Sequence, residues 1–185
     1  MDTACRVISL LGLKHVGKSS VGRDVAFRAG WIFRDTDEVI CQEYARLHDS
    51  TLPGISVRDI YRIEGVAAFQ EYEADAVRAI LEEITSRQQR VIIATGGGIC
   101  DNESALALLA NHGRTVFLDE APELLWTRIS VKGVPAFLDQ ERPREHFLEL
   151  SARRRRIYRD TAEITIPTEG ESIESIGDVI LSLIR

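Results

Sequence analysis

Gly12-Leu13-Lys14-His15-Val16-Gly17-Lys18-Ser19 is the stretch that decides the fold. It fits the pattern G-x-x-x-x-G-K-[ST], in which glycines let a loop curl so that backbone N–H groups face phosphate oxygens, and the following helix adds its positive dipole end. Both flanks agree. The apolar run Val7-Ile8-Ser9-Leu10-Leu11 reads as a buried strand, and Ser19 to Arg28, with Val21, Val25 and Ala26 on one face, reads as the helix that the loop opens. A plain glycine turn is the alternative, and Lys18-Ser19 between correct flanks argues against it. Gly12, Gly17, Lys18, Ser19 and Ser20 are therefore the expected cradle for a nucleoside triphosphate. Lys18 is expected to lie exposed in the empty loop and to reach the β- and γ-phosphates, with the Ser19 hydroxyl on Mg²⁺.

Working outward, strand-like and helix-like stretches alternate. Strands are expected at Val7–Leu11, Trp31–Phe33, Arg90–Ala94, Thr115–Leu118 and Glu163–Ile166. Helices are expected from Thr36 to about Leu47, Val57 to Ser86 with an interruption near Gly65, Asn102 to Asn111, Pro122 to Ser130, Arg144 to Asp160 and Ile173 to Ile184. Ser50 to Ser56, with Pro53-Gly54, reads as a loop, and Lys132 to Pro143 breaks every periodicity. Strands alternating with helices imply an α/β fold, a five-stranded parallel sheet flanked by helices.

Composition narrows the partners. The 185 residues suit one domain, and a hydrophobic content of 44% is ordinary for a globular chain. A net charge of −6 speaks against nucleic acid, which selects a basic face, and Arg153 to Arg156 is too short a run to reverse that. Three cysteines, Cys5, Cys41 and Cys100, with no C-x-x-C pair, suggest reduced thiols. His48, His112 and His146 show no metal-ligand spacing. The polar start and the lack of a long apolar run lead to the expectation of a cytoplasmic protein, a monomer, with a small-molecule partner and no membrane.

Asp35-Thr36-Asp37 stands at the end of the second strand and Thr95-Gly96-Gly97-Gly98 after the third, both at the rim where open α/β sheets hold ligands. Two carboxylates at i and i+2 can divide labour between a metal and a substrate; a helix N-cap is the plainer use of the same residues. Taken in order, G-x-x-x-x-G-K-S, D-T-D, F-x-x-x-E, A-T-G-G-G, L-x-x-R and R-x-x-x-Y resemble the shikimate kinase family across nearly the whole chain. That resemblance implies a nucleoside-monophosphate-kinase-like P-loop fold over 1–185, with an acceptor-binding helical segment at about 37–80 and a lid at about 131–145. It also implies ATP and Mg²⁺ as cofactors. Lys18 and Ser19 would handle them, with Asp35 near the metal and Arg128 facing the nucleotide. Asp37 would meet the acceptor hydroxyl and act in catalysis with Lys18. Gly96, Gly97 and Gly98 would line the acceptor pocket, and Arg154, four before Tyr158, would clasp the acceptor carboxylate.

Two positions depart from the family pattern. The acceptor-side arginine of F-R-x-x-E is Gln70 here, and the lid stretch reads Gly133-Val134-Pro135-Ala136-Phe137 without its arginine. Lys132, Arg142 and Arg144 are candidates to replace the second; nothing obvious replaces the first. Glu73 then stands without the arginine that would partner it, and a buried carboxylate without a partner is costly. An acceptor with an ammonium group would supply one. The expected acceptor is therefore a hydroxy amino acid such as homoserine, held by Arg154, Glu73 and Asp37, with shikimate as the alternative and a nucleotide-dependent regulatory module as the non-enzymatic one.

Overall fold

The computed structural model describes residues 6–48, 54–132, 138 and 141–184, without the side chain of Lys132. Residues 133–137, 139 and 140 of the lid expected at about 131–145 lie outside these residues, as do Cys5 and most of the loop before Gly54. Strands β1 (Val7–Leu11), β2 (Ile32–Asp35), β3 (Val91–Ala94), β4 (Arg114–Asp119) and β5 (Ile164–Pro167) form one sheet. Its order is β2-β3-β1-β4-β5 and every pairing is parallel. The three central strands are apolar runs because helices cover both faces, so no residue alternation is needed. Ile8, Leu10, Leu11, Ile92, Ile93, Val116 and Phe117 are wholly buried.

The helices are α1 (Lys18–Ala29), α2 (Thr36–Leu47), α3 (Val57–Arg87), α4 (Glu103–His112), α5 (Pro122–Lys132), α6 (Pro143–Thr161) and α7 (Ile173–Ser182). The interruption expected near Gly65 is present: its φ of 79° and ψ of 179° break α3 into two helical halves. The second half buries Glu73, Ala74, Ala76, Val77, Ile80, Leu81 and Ile84. Two local features differ from the sequence reading. β2 starts one residue later, at Ile32, and ends on Asp35 as the sequence reading has it. A short 3₁₀ turn, Ile99–Asp101, separates the glycine run from α4.

Because β1 lies between β3 and β4, chain connections leave it toward both sides, and a crevice opens at the carboxyl ends of the strands. Gly12 ends β1 with a φ of 147°, and a Cβ there would lie 2.7 Å from the Leu118 carbonyl oxygen. The turn after β3 then passes against the P-loop. A Cβ on Gly97 would lie 2.7 Å from the backbone nitrogen of Lys14 and 3.0 Å from its Cα. Backbone cannot yield as a flexible side-chain tip can, so Gly97→Ala should cost about 1–3 kcal/mol by overpacking. At about 2–4 °C per kcal/mol for a chain of this size, a thermal melt resolves the loss, and an unchanged melting temperature would show that the two loops are not in firm contact.

Candidate active site

The crevice is a cleft of about 890 Å³ that runs from the P-loop to the kinked start of α3. At its nucleotide end Gly17 caps α1 in the left-handed conformation with a φ of 105°, which leaves the first N–H groups of the helix facing the cleft. Lys18 is not exposed in the empty loop as the sequence suggested. It is buried, and its Nζ donates to the carbonyls of Gly12 at 2.8 Å and Leu13 at 2.9 Å. The lysine thereby ties the curl of the loop together. Burial pushes its pKa down to about 8, against the pull of Asp37 and Asp35.

Asp35 takes the N-cap use and also reaches the P-loop. One oxygen accepts from the Asp37 N–H at 3.0 Å and caps α2, while the other accepts from the Ser19 hydroxyl at 2.6 Å. The carboxylate thereby links β2 to the P-loop helix. Arg128 does not line the cleft. Its Nη2 donates to the buried Glu120 carboxylate and its Nη1 to the His15 carbonyl, each at 3.1 Å. His15 has a φ of 66°, a conformation that disfavours a side chain, and Arg128 holds that strained residue from behind.

At the other end the three glycines each admit a different part of the site. A Cβ on Gly96 would lie 3.0 Å from Asp37 Oδ1 and 3.4 Å from Glu73 Oε1, so both carboxyl groups close on this one residue. The Gly96 N–H donates to Thr36 Oγ1 at 3.0 Å, which docks the turn on the start of α2. Gly97 meets Lys14, and a Cβ on Gly98 would lie 3.1 Å from Arg154 Nη2. Of the four consecutive arginines, Arg154 is the one that enters the cleft, with its side chain 17% exposed. Arg155 turns away to Asp119, which Arg159 also binds.

Asp37 and Glu73 are both held toward their neutral forms. Burial, and then the Asp35 charge, raise the pKa of Asp37, while Lys18 and Lys14 pull it back. Burial raises Glu73 to about 7, opposed by the hydrogen bond from Asn102 and by Arg154. Asn102 is the partner that the sequence reading missed. Its amide donates to Glu73 Oε2 at 3.3 Å and to the Gln70 carbonyl at 2.7 Å, while its oxygen accepts from the Ala105 N–H and caps α4. Gln70 itself donates to the Asp101 carbonyl at 2.8 Å. Asp101 was also missed, although its carboxylate contacts Arg154. So were Arg58, Tyr61, Arg62 and Phe69, which line the cleft from α3. Their recurrence with Glu73 at three- and four-residue steps was the available signal, obscured by the break at Gly65.

Ser19 and Asp35 offer a hydroxyl and a carboxylate side by side, the donor set of a hard cation that takes its other ligands from phosphate and water. Among the described residues no three His, Cys, Asp or Glu side chains gather into a metal cluster, and no helix is long and apolar enough to cross a membrane. Cys41 and Cys100 are free thiols, as the sequence suggested.

The family model for shikimate kinase matches residues 14–185. A shikimate kinase of Streptomyces coelicolor is 33% identical over 179 residues, covering 97% of this chain and 95% of that protein. One from Alkaliphilus oremlandii is 29% identical, covering 95% and 98%. Among solved structures, the shikimate kinase from Acinetobacter baumannii in complex with shikimate superposes with a TM-score of 0.78 at 29% identity, covering 97% of this chain and 93% of that one.

The state of Glu73 gives a stability test. Its pKa lies near 4.5 in an unfolded chain and about 7 in the fold, so between those values the folded form binds more protons and stability falls as pH rises. Glu73→Gln removes that loss. The variant should gain up to about 3 kcal/mol on the unmodified protein near pH 8.5 and almost nothing near pH 4.5. Denaturant titrations at both pH values check this, and an equal effect at the two would mean that Glu73 holds an ordinary charge.

Proposed function

This chain belongs to the shikimate kinase family and is an ATP-dependent kinase acting on a hydroxyl group of a small molecule, and we propose that the molecule is shikimate. The observation that carries the reading is the convergence on one turn: Asp37 and Glu73 on Gly96, the P-loop on Gly97 and Arg154 on Gly98. A phosphate cradle, a hydroxyl-orienting carboxyl group and a carboxylate-binding guanidinium thus share one cleft, in the order that a hydroxy acid needs. The A. baumannii relative, solved in complex with shikimate, supports the same choice.

The case for homoserine rested on a Glu73 without a partner. Asn102 is a partner, and a carboxyl group near pKa 7 relieves its burial by taking a proton, so no ammonium is required. The relatives named above act in its disfavour too, since each is a shikimate kinase. Retained Lys18, Ser19, Asp35 and Asp37 favour catalysis over a regulatory module.

In this reading Gly12, Gly17, Lys18, Ser19 and Ser20 bind ATP, and Arg128 braces the loop from outside the cleft. Ser19 and Asp35 would hold Mg²⁺, which when bound neutralises charge on the β- and γ-phosphates. The helical segment at about 37–80 holds the acceptor. Asp37 orients the acceptor hydroxyl; as its oxygen bonds to the γ-phosphorus and the bond to the bridging oxygen of ADP breaks, the hydroxyl proton passes to Asp37. Lys18 releases its two loop carbonyls to draw charge from the phosphates. Arg154 receives the acceptor carboxylate on its free N–H groups.

ATP-dependent ADP release with shikimate and with homoserine, run in parallel, tests the proposal: shikimate should stimulate it and homoserine should not, and the reverse would overturn the assignment. Asp37→Asn should lower kcat by about 10²- to 10⁴-fold, the range for a lost general base, with KM for ATP changed by less than about threefold. Loss of ATP affinity with kcat kept would transfer the metal-side role to Asp37. Gln70→Arg should raise kcat/KM on shikimate about tenfold, the scale of one charge-assisted hydrogen bond. A fall would mean that Gln70 does not face the acceptor.

A further inference from the structure

Asp101 occupies one of the two edges of Arg154 that can pair with a carboxylate. Arg154 Nε and Nη2 both donate to Asp101 Oδ2, at 3.0 and 2.7 Å, and Nη1 donates to the Gly97 carbonyl at 3.3 Å. A guanidinium has five N–H groups, so only one on each of Nη1 and Nη2 is left. One of its two forked edges, Nε with Nη2, is filled from within the protein, and the end edge is partly used by the Gly97 carbonyl. The other Asp101 oxygen is held by Arg153 Nη2 at 2.8 Å. To yield its place to a ligand, Asp101 would have to leave two arginines at once.

Lys14, Arg58 and Arg62 also line the cleft, but the groups on the turn that holds Arg154 bring no further cation to it. Gln70, where the family pattern carries arginine, is neutral and turned to the Asp101 backbone carbonyl. The buried Glu73 and Asp37 carboxyl groups stand on the same turn. An entering carboxylate therefore meets a guanidinium already paired and shares it with a fixed anion of its own sign.

We infer that Asp101 is a specificity-determining residue that sets the affinity of the cleft for carboxylated acceptors by competing with them for Arg154. The inference rests on the reading of the acceptor as shikimate. It follows that removing the Asp101 charge tightens acceptor binding, although an ion pair is lost from the free protein. A purely structural role for the pair gives the opposite sign.

The test is Asp101→Asn, which keeps an oxygen for the arginines and removes the charge. Asp101 also donates its backbone N–H to the Gly98 carbonyl and accepts from Gln70 through its own carbonyl, and neither contact uses the carboxylate. If the asparagine variant fails to fold by thermal melt, Asp101→Ser carries the same measurement. Steady-state kinetics are run on shikimate and on a cyclohexene triol of the same hydroxyl pattern without the carboxylate. KM for shikimate should fall about 3- to 10-fold, the scale of one partly exposed charge contact, while KM for the triol and for ATP stays within about twofold. A KM for shikimate that rises or does not move, or a fall shared equally by the triol, overturns the inference. Should the unmodified protein phosphorylate no shikimate at all, the acceptor reading fails and this inference with it; turnover by the unmodified protein with a variant that shows no gain defeats the inference alone.

Discussion

Everything at this site depends on the contact between two backbones, that of Lys14 in the P-loop and that of Gly97 after β3. Two loops that each end a parallel strand are brought within van der Waals distance only because Gly97 has no Cβ to keep them apart. The neighbouring glycines extend the same freedom to other groups, Gly96 to the Asp37 and Glu73 carboxyls and Gly98 to the Arg154 guanidinium. The turn therefore works as a socket for the side chains of the site before any ligand is considered. Sheet order makes this possible, since β3 lies directly beside β1 and carries its turn to the mouth of the P-loop.

Electrostatics divide the cleft into two unlike halves. At the nucleotide end, a buried lysine is stored against backbone carbonyls, with Asp35 clamping Ser19 beside it, so charge waits where phosphate would enter. At the end proposed to hold the acceptor, Gln70 stands where the family pattern carries arginine, and Arg154 is tied to Asp101. Burial penalises the charged forms of Glu73 and Asp37 and pushes both pKa values up, against the pull of Arg154 on the first and of Lys18 and Lys14 on the second. Glu73 thus meets its burial in two ways inside the protein, by accepting from Asn102 and by a pKa raised to about 7.

The fold was legible in the sequence because its signals are local. A P-loop between an apolar strand and an amphipathic helix, a short apolar stretch ending in Asp35, a β-branched run leading into Gly96, and a break at Gly65 each declare themselves within a few residues. The same holds for Lys18, Ser19, Asp35, Asp37, Gly96 to Gly98 and Arg154, whose motifs mark them one by one, and the structure brings all of these to one cleft.

What only the tertiary structure decided is who partners whom. Asn102 meets Glu73 across 29 positions of sequence and Arg154 meets Asp101 across 53. Arg128 likewise reaches the His15 carbonyl of the P-loop across 113 positions. Sequence spacing carries the period of a helix or a strand, and so it determined the elements and the residues at their ends. Charge compensation acts through space between elements whose separation along the chain has no period, and so the pairing that governs the acceptor end appeared only once the chain was folded.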